Sequence, residues 1–251
     1  MVCVTATGTN NLDKEYLESR KIIWHNVAGY STESVTQHTF AMAFYLLEKL
    51  RYYDDYVKTE KYIGDTIFTH FANRFHELSG MTWGVIGLGA IGLWTARMAK
   101  GFGMKVIANS RHKKTGPQYD GIEQVSMEEI FERSDVISIH CPHTKETENL
   151  LNREAFAKMK DGVIIINTAR GIIIDEEALL EALESRKVYM AGLDVVANEP
   201  PQYQIPLMQS PYTFITSHIA WQPKAARLRA VDLAVKNFRS YLEGMPTSVI
   251  N

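Results

Sequence analysis

Cysteine, long apolar runs and a surplus of one charge are all missing from this sequence. Its two cysteines, Cys3 and Cys141, form no Cys-x-x-Cys pair and no His/Cys cluster with zinc spacing, so neither a disulfide framework nor a zinc site is predicted. A reducing, cytoplasmic compartment is therefore expected. No stretch reaches the roughly 18 apolar residues that a bilayer-spanning helix needs. Residues 1–16 also lack the basic start and apolar core of a secretory signal.

The balance of charge excludes several classes of partner. The formal net charge is −2 at pH 7 and no basic stripe is visible, so neither nucleic acid nor a membrane is an expected partner. Apolar residues make up 45% of the 251, close to the globular average, which predicts an ordinary packed core. This length allows one large domain or two modest ones.

Short apolar segments alternate with helical ones through the middle of the chain. Strands are predicted at residues 82–87, 105–109, 135–139, 162–167, 189–195 and 212–216. Helices are predicted at residues 34–57, 90–102, 126–133, 153–159, 175–186 and 223–242, with a capping box of Ser126 and Glu129 at the start of the third and Asp175 as the cap of the fifth. Near-continuous apolar strands that alternate with helices indicate a parallel sheet covered on both faces. The predicted fold class is therefore α/β, with a doubly wound parallel sheet of the Rossmann type.

A glycine-rich motif, Gly-Leu-Gly-Ala-Ile-Gly at residues 87–92, follows a predicted strand and opens a predicted helix. This context indicates dinucleotide binding. Gly87 permits the tight turn, Gly89 lets the backbone approach a pyrophosphate, and Gly92 lets the helix pack close to the sheet. Free N–H groups at the helix N-terminus, near Ala90 and Ile91, would bind the phosphates. The alternative is a glycine turn in an ordinary α/β protein.

The end of the second predicted strand bears on the choice between NAD and NADP. An NAD site usually has an acidic residue there to bind the ribose 2′-hydroxyl. Residues 109–114 are instead Asn-Ser-Arg-His-Lys-Lys, with no carboxylate. Ser110, Arg111 and the two lysines suit a 2′-phosphate, because cationic groups form charge-assisted hydrogen bonds to it. NADP is therefore slightly favoured over NAD, and a solvated basic turn is the alternative.

Three further polar turns follow predicted strands, at the sheet edge where ligands bind in folds of this class. They are Asn-Thr-Ala-Arg-Gly at residues 167–171, Gly-Leu-Asp-Val-Val-Ala-Asn-Glu-Pro at 192–200, and Thr-Ser-His-Ile-Ala-Trp at 216–221. The planar guanidinium of Arg170 suits a substrate carboxylate and carbonyl. Each residue also has a non-catalytic interpretation: Arg170 as a surface charge, Glu199 as a loop carboxylate and His218 as a structural histidine.

In combination these turns resemble one family, the D-isomer-specific 2-hydroxyacid dehydrogenases, and the resemblance covers essentially the whole chain. The matching segments are Thr-Ala-Arg-Gly at residues 168–171, Leu-Asp-Val-x-x-x-Glu-Pro at 193–200 and Ser-His-Ile-Ala at 217–220. Residues 138–147 and 29–40 match as well. Within the family, the chain looks most like the hydroxypyruvate reductases, also called glycerate dehydrogenases.

The resemblance implies hydride transfer between NAD(P)H and a small 2-oxo acid or D-2-hydroxy acid, such as hydroxypyruvate or glyoxylate. Arg170 would orient the substrate, His218 would donate or accept the proton, and Glu199 would hydrogen-bond the His218 ring. A carboxylate partner favours the imidazolium and so raises the pKa of a histidine. Negative charge that develops on the substrate oxygen would be neutralised by the imidazolium and stabilised by the guanidinium.

The same resemblance implies further binding residues, a domain division and a dimer. Beyond the glycine motif, the implied cofactor contacts are Ser110, Arg111, Cys141, Pro142, Thr147, Thr168, Ala169, Arg170, Asp194 and His218. Thr7 and Gly8 would bind the substrate carboxylate together with Arg170 and His218. Residues 33–221 would form the dinucleotide-binding domain, and residues 1–32 with 222–251 an incomplete flavodoxin-like substrate domain. A two-fold dimer would form through residues 34–78, which include Phe40, Phe44, Tyr45, Tyr52, Tyr53, Tyr56, Phe68, Phe71 and Phe75; ordinary interdomain packing is the alternative.

Other functions remain open on the sequence. The family has strand–helix units ahead of the Thr7–Gly8 loop that this chain lacks, so a truncated copy that binds cofactor but turns over poorly is one expectation. A cofactor-sensing or corepressor-like module on the same fold is another. Formate oxidation or amino-acid deamination is a third, although formate needs no proton donor such as a Glu199–His218 pair.

Overall fold

The computed structural model describes residues 1–9, 11–72 and 77–244. The chain divides into two compact units, residues 36–218 and residues 1–35 with 219–251. The boundaries predicted from the sequence, at residues 33 and 221, lie a few residues away from these. In chain order the elements are β1 (Val2–Cys3), α1 (Lys14–Ser19), β2 (Trp24–His25), α2 (Thr32–Leu47), α3 (Leu50–Lys58), β3 (Thr82–Ile86), α4 (Ala90–Gly101), β4 (Lys105–Asn109), β5 (Glu123–Gln124), α5 (Met127–Arg133), β6 (Val136–Ile139), α6 (Arg153–Lys158), β7 (Val163–Asn167), α7 (Glu176–Glu184), β8 (Val188–Leu193), α8 (Pro206–Gln209), β9 (Thr213–Ile215) and α9 (Lys224–Leu242).

The larger unit is built on a seven-stranded sheet in the order β5-β4-β3-β6-β7-β8-β9, and every pair of neighbouring strands is parallel. Strands β6 and β7 are buried along their whole length. Alternate residues of a strand face opposite sides of a sheet. Accordingly, Ile165 packs in one hydrophobic cluster with α5, α6 and α7, whereas Ile164 and Ile166 pack in another with α2 and α4. The doubly wound α/β class predicted from the sequence is confirmed.

Capping residues set the starts of two of these helices. Ser126 accepts from the Glu129 backbone N–H, and the Glu129 side chain accepts from the Ser126 backbone N–H, which completes a capping box at α5. Asp175 accepts from two backbone N–H groups in the first turn of α7. Both caps were predicted from the sequence.

The predicted single helix at residues 34–57 is wrong. The chain forms α2 and α3 instead, because Lys49 between them adopts a left-handed backbone with φ +54°. The Lys49 ammonium lies 2.7 Å from Met190 Sδ and 3.9 Å from the centre of the Tyr189 ring. These contacts with β8 stabilise the break, and no local sequence pattern encodes them. Four further elements were not predicted, because they are too short to show a periodic pattern: α1, β2, β5 and α8.

In the smaller unit, β1 pairs with β2 in a parallel two-stranded sheet. Val27 and Tyr30 pack against Ala226 and Ala230 of α9. Residues 245–251, the end of the predicted substrate domain, lie outside the described residues. Among the helices that the structure describes, none combines the length and the apolarity that crossing a membrane requires.

Candidate active site

The glycine turn between β3 and α4 lies where the strand order of the sheet reverses, since β3 has β4 on one side and β6 on the other. Gly87 adopts φ +97°, and its N–H donates to Asn109 O at 2.9 Å. A Cβ on Gly87 would lie 2.5 Å from Cys141 N, so no larger residue fits beside the end of β6. A Cβ on Gly92 would collide with the Gly87 carbonyl oxygen. Both glycines therefore have the steric roles that the motif predicts.

The N-terminus of α4 has the features of a phosphate site. Gly89 precedes the helix, and in the described part of the chain no side chain caps it. Gly89 and Ala90 are exposed, Ile91 is half-buried, and a Cβ on Gly89 would meet no atom of the described residues within 4 Å. The first N–H groups of a helix lack partners within the helix, and the helix dipole favours an anion there. The space beside Gly89 and these donors suit the pyrophosphate of a dinucleotide.

The loop after β6 borders this turn. Thr147 Oγ1 donates to Pro142 O at 2.8 Å and accepts from the Thr144 N–H at 2.7 Å, which closes residues 142–147 into a compact turn. Burial raises the pKa of the Cys141 thiol to about 11 and lowers the pKa of His140 to about 3. Both side chains are therefore uncharged near neutral pH, and neither repels an anion bound at the glycine turn.

The basic turn after β4 is exposed. Ser110 Oγ donates to His112 O at 2.8 Å, and Arg111 lies 3.4 Å from the Glu146 carboxylate. The side chains of this ion pair are 65% and 75% exposed, so the pair contributes little and Arg111 can exchange partners. Ser110 and Arg111 thus lie at the strand end where the sequence analysis expects the adenosine ribose.

Arg170 follows β7 in a turn that Asn167 stabilises. The buried Asn167 side chain donates to Arg170 O and accepts from the Ala169 N–H, both at 2.9 Å. Arg170 is half-buried, and its Nη1 donates to Ala169 O at 2.6 Å. A Cβ on Gly171 would overlap the Val196 carbonyl group, so the turn packs directly against the loop after β8. This contact joins the loop that carries Arg170 to the loop that leads to Glu199.

His218 and Glu199 form a pair at the ends of neighbouring strands. His218 Nδ1 lies 2.8 Å from Glu199 Oε2, and Glu199 Oε1 accepts from the Val196 N–H at 3.1 Å. The His218 backbone has φ +56°, and its N–H donates to Asp194 O at 2.7 Å. Because Nδ1 is engaged by Glu199, Nε2 is the ring nitrogen that can exchange a proton with a substrate.

The electrostatics of the pair follow from its neighbours. The hydrogen bond to Glu199 raises the pKa of His218 above its ordinary value, partial burial opposes this, and the charges of Glu199 and Asp194 raise it further. The positive charge of Arg170 lowers the pKa of His218. Arg170, Glu199 and His218 therefore belong to one electrostatic group, as the turn positions predict.

Near Glu199 and His218 lie Asp194, which the family resemblance implies as a cofactor contact, and three residues for which no role was predicted: Thr216, His38 and Glu176. Asp194 is fully buried, and Thr216 Oγ1 donates to it at 2.5 Å. His38 on α2 lies beside both residues, and Glu176 in the first turn of α7 accepts from the Ala197 N–H at 2.8 Å. A single histidine or glutamate on a helix gives no sequence signal of such contacts.

The other predicted residues are placed as follows. Thr168 is buried, with its Oγ1 3.2 Å from Thr39 Oγ1, and Ala169 lies between Thr168 and Arg170 on the same turn. Thr7 belongs to the smaller unit, where its carbonyl oxygen accepts from Asn26 Nδ2 at 2.6 Å. Gly8 adjoins it, and the expected binding of a substrate carboxylate by Thr7 and Gly8 stays a prediction.

Known proteins resemble this chain along almost its whole length. The sequence profile described as "D-isomer specific 2-hydroxyacid dehydrogenase, NAD binding domain" matches residues 40–220. A hydroxypyruvate reductase of Blautia hydrogenotrophica is 38% identical over 250 residues, which cover 100% of this chain and 78% of that protein.

Solved structures share the fold, among them two that contain a bound nicotinamide cofactor. An acyclic imino acid reductase in complex with NADPH and D-Arg aligns with a TM-score of 0.88 at 31% identity, covering 99% of this chain and 78% of that one. A D-lactate dehydrogenase of Aquifex aeolicus, complexed with NAD and lactic acid, aligns with a TM-score of 0.86 at 32% identity, covering 96% of this chain and 76% of that one.

Proposed function

The chain belongs to the family of D-isomer-specific 2-hydroxyacid dehydrogenases, and from this membership we propose that it reduces a small 2-oxo acid to the 2-hydroxy acid with His218 as proton donor. The observation that carries the proposal is the 2.8 Å contact between His218 Nδ1 and Glu199 Oε2, with the charge of Arg170 close enough to affect the same imidazole. A carboxylate-bound histidine beside a guanidinium is the group that reduction of a carbonyl needs.

The cofactor is a nicotinamide dinucleotide, since residues 40–220 match the NAD-binding domain of the family. When bound, the nicotinamide supplies the hydride for the reduction. The N–H groups at the start of α4, next to Gly89 and Ala90, would bind the pyrophosphate. The sequence motif and the open space beside Gly89 support this assignment.

The proton steps follow from the electrostatics of His218. Because Glu199 raises the pKa of His218, more of the histidine is imidazolium at a given pH, and this form can donate its Nε2 proton to the substrate oxygen. Arg170 would bind the substrate carboxylate and stabilise charge on the carbonyl oxygen. In the reverse reaction the neutral imidazole accepts the hydroxyl proton, and Glu199 stabilises the imidazolium that forms.

The proposed substrates are hydroxypyruvate and glyoxylate, on the similarity to the hydroxypyruvate reductase. The test is a steady-state assay of NADPH and NADH oxidation with each acid. His218→Gln should lower kcat by about 10²–10⁴-fold, the usual contribution of general acid catalysis. Arg170→Lys keeps the charge but loses the planar fork, and should raise KM about tenfold or more.

Two results would contradict the proposal. One is a wild-type protein that binds the reduced cofactor tightly but does not oxidise it with any of the 2-oxo acids tested. This result would favour the corepressor-like alternative. The other is a His218→Gln variant that retains wild-type kcat while circular dichroism shows it folded.

NADP is proposed as the preferred cofactor. Support comes from Ser110 and Arg111 after β4 and from the weak, exposed ion pair between Arg111 and Glu146, which a 2′-phosphate could displace. Fluorescence titration should give a lower Kd for NADPH than for NADH. Arg111→Ala should weaken NADPH binding and leave NADH binding nearly unchanged. Glu146→Gln should tighten NADPH binding, and tighter binding of NADH by the wild type would contradict the preference.

A homodimer through residues 34–78 is also proposed. Part of the aromatic run is explained by packing inside the larger unit, because Phe40 stacks on Trp83 at 4.7 Å and Tyr45 stacks on Phe214 at 4.1 Å. Phe75 lies outside the described residues. Large apolar side chains that remain exposed in this region support the proposal: Tyr52, Val57, Tyr62, Ile63, Ile67, Phe68 and Phe71.

The exposed phenylalanines supply the test of this dimer. Phe68 and Phe71 are 90% and 84% exposed. Light scattering at micromolar concentration should give a dimer mass for the wild type and a monomer mass for Phe68→Ser with Phe71→Ser. The control is Tyr203→Ser, at an exposed aromatic residue outside this region, which should remain a dimer. A monomeric wild type would contradict the proposal.

A further inference from the structure

Helix α2 carries a histidine that the proposed reaction does not use. The His38 side chain is 19% exposed, and its Nε2 lies 3.0 Å from Thr216 Oγ1 and 3.4 Å from Asp194 Oδ1. Asp194 is fully buried. Burying a carboxylate costs free energy unless hydrogen bonds compensate for the lost water, so the groups around Asp194 matter for its charge and position.

The donors and acceptors of these side chains set the direction of their hydrogen bonds. Thr216 Oγ1 lies 2.5 Å from Asp194 Oδ1, and an ionised carboxylate can only accept, so the hydroxyl donates its proton to Asp194. A hydroxyl has one proton, so Thr216 Oγ1 must accept from His38 Nε2, which therefore carries a hydrogen. The chain of bonds runs from His38 through Thr216 to Asp194.

This chain of bonds ends at the segment that carries His218. Asp194 contacts that segment through its side chain, to the Thr216 hydroxyl, and through its backbone oxygen, to the His218 N–H at 2.7 Å. His218 also adopts φ +56°, a backbone region that is uncommon for residues other than glycine. Such a conformation persists only where surrounding contacts stabilise it.

We propose that His38 is a positioning residue, which donates to Thr216 and thereby stabilises the Thr216–Asp194 contact and the backbone that places the His218 imidazole. The inference rests on the proposed function, because it gives His38 a role in proton transfer by His218. His38 itself does not touch the reacting atoms in this assignment.

Single-residue variants of the full chain test the inference. His38→Phe keeps the bulk and removes the donor, and should lower kcat about tenfold with KM for the 2-oxo acid changed by less than about twofold. His38→Gln can place an amide N–H where Nε2–H lies, and should recover most of the loss. Thr36→Val, on the same helix, is the control, because the buried Thr36 hydroxyl has no hydrogen-bond partner among the described residues. It should keep the wild-type kcat.

The double variant separates positioning from general stability. Thr216→Val alone should lower kcat by a similar factor, and Thr216→Val combined with His38→Phe should be no worse than the poorer single variant, since both act through one chain of bonds. Three results would overturn the inference. The first is a double variant whose loss of kcat equals the product of the two single losses. The others are an unchanged kcat in His38→Phe and an equal loss of kcat in His38→Phe and His38→Gln.

A measurement without turnover distinguishes failure of this inference from failure of the proposed function. NMR titration of the His218 imidazole reports its pKa, to which Glu199, Asp194 and Arg170 contribute. His38→Phe and Thr216→Val should both lower this pKa, because the Asp194 carboxylate, whose charge raises it, then loses hydrogen bonds that fix its position near His218. His38→Gln should leave the pKa unchanged. An inactive wild type would refute the function alone. An unshifted His218 titration in His38→Phe would refute the role of His38 alone.

Discussion

Replacing Glu199 by glutamine tests the proton chemistry most directly. In Glu199→Gln the amide oxygen of the new side chain can still accept from His218 Nδ1 at the 2.8 Å position, but the negative charge is gone. Hydrogen bonds to charged groups contribute about 1 kcal/mol more than neutral ones, and the side chains of His218 and Glu199 are 38% and 32% exposed, so water screens part of that difference. We therefore expect kcat/KM for reduction to fall by at most about fivefold, the factor that the full, unscreened difference of about 1 kcal/mol would give, since about 1.36 kcal/mol corresponds to a factor of ten.

The pH dependence gives the sign of the effect. Reduction needs the imidazolium, so kcat/KM falls as pH rises through the pKa of His218. Glu199 raises that pKa, so Glu199→Gln should move the alkaline fall of kcat/KM to lower pH. The assay is oxidation of reduced cofactor across a pH series. The matched control is Glu184→Gln, which removes an exposed carboxylate at the end of α7. The role of Glu199 would be refuted if kcat/KM of Glu199→Gln fell at the same alkaline pH as in the wild type, or if the control showed an equal shift.

Three further substitutions probe the architecture of the site. Gly87→Ala should weaken cofactor binding about tenfold or more in a fluorescence titration, because φ is +97° and the Cβ would lie 2.5 Å from Cys141 N; wild-type affinity would contradict this. Gly171→Ala would push against the Val196 carbonyl group and should lower the free energy of unfolding by about 1–3 kcal/mol, measured by denaturant titration. Glu176→Gln weakens the bond that orders the loop before Glu199 and should lower kcat a few-fold while the melting temperature changes little.

The parts of the fold that local patterns encode were predicted correctly. The apolar strands around residues 107, 137 and 165 and the caps at Ser126 and Asp175 appear where the sequence places them. The break at Lys49 was not predictable, because its cause lies in Met190 and Tyr189, far along the chain. Local propensity decides little where a long-range contact fixes one residue in a left-handed conformation.

The residues of the candidate site also fall into those that the sequence indicated and those that it did not. Arg170, Glu199 and His218 were singled out because each follows a predicted strand and because the three segments together resemble one family; parallel strands bring such segments to one edge of the sheet. His38 was not found, since a helix that packs on a sheet can bring any of its side chains to that edge. The register of α2 against the strand ends sets its distance to Thr216, and this register is a property of packing between distant segments.

Asp194 and Glu199 show that the roles of two carboxylates in one loop depend on their surroundings. Asp194 is buried and is compensated by the Thr216 hydroxyl, whereas Glu199 is partly solvated and has His218 as its partner. Both negative charges raise the pKa of His218, and the positive charge of Arg170 lowers it. A dehydrogenase that works in both directions needs a histidine that can lose its proton as well as keep it. The guanidinium of Arg170, which we propose binds the substrate, therefore also limits how strongly the two carboxylates hold the proton on His218.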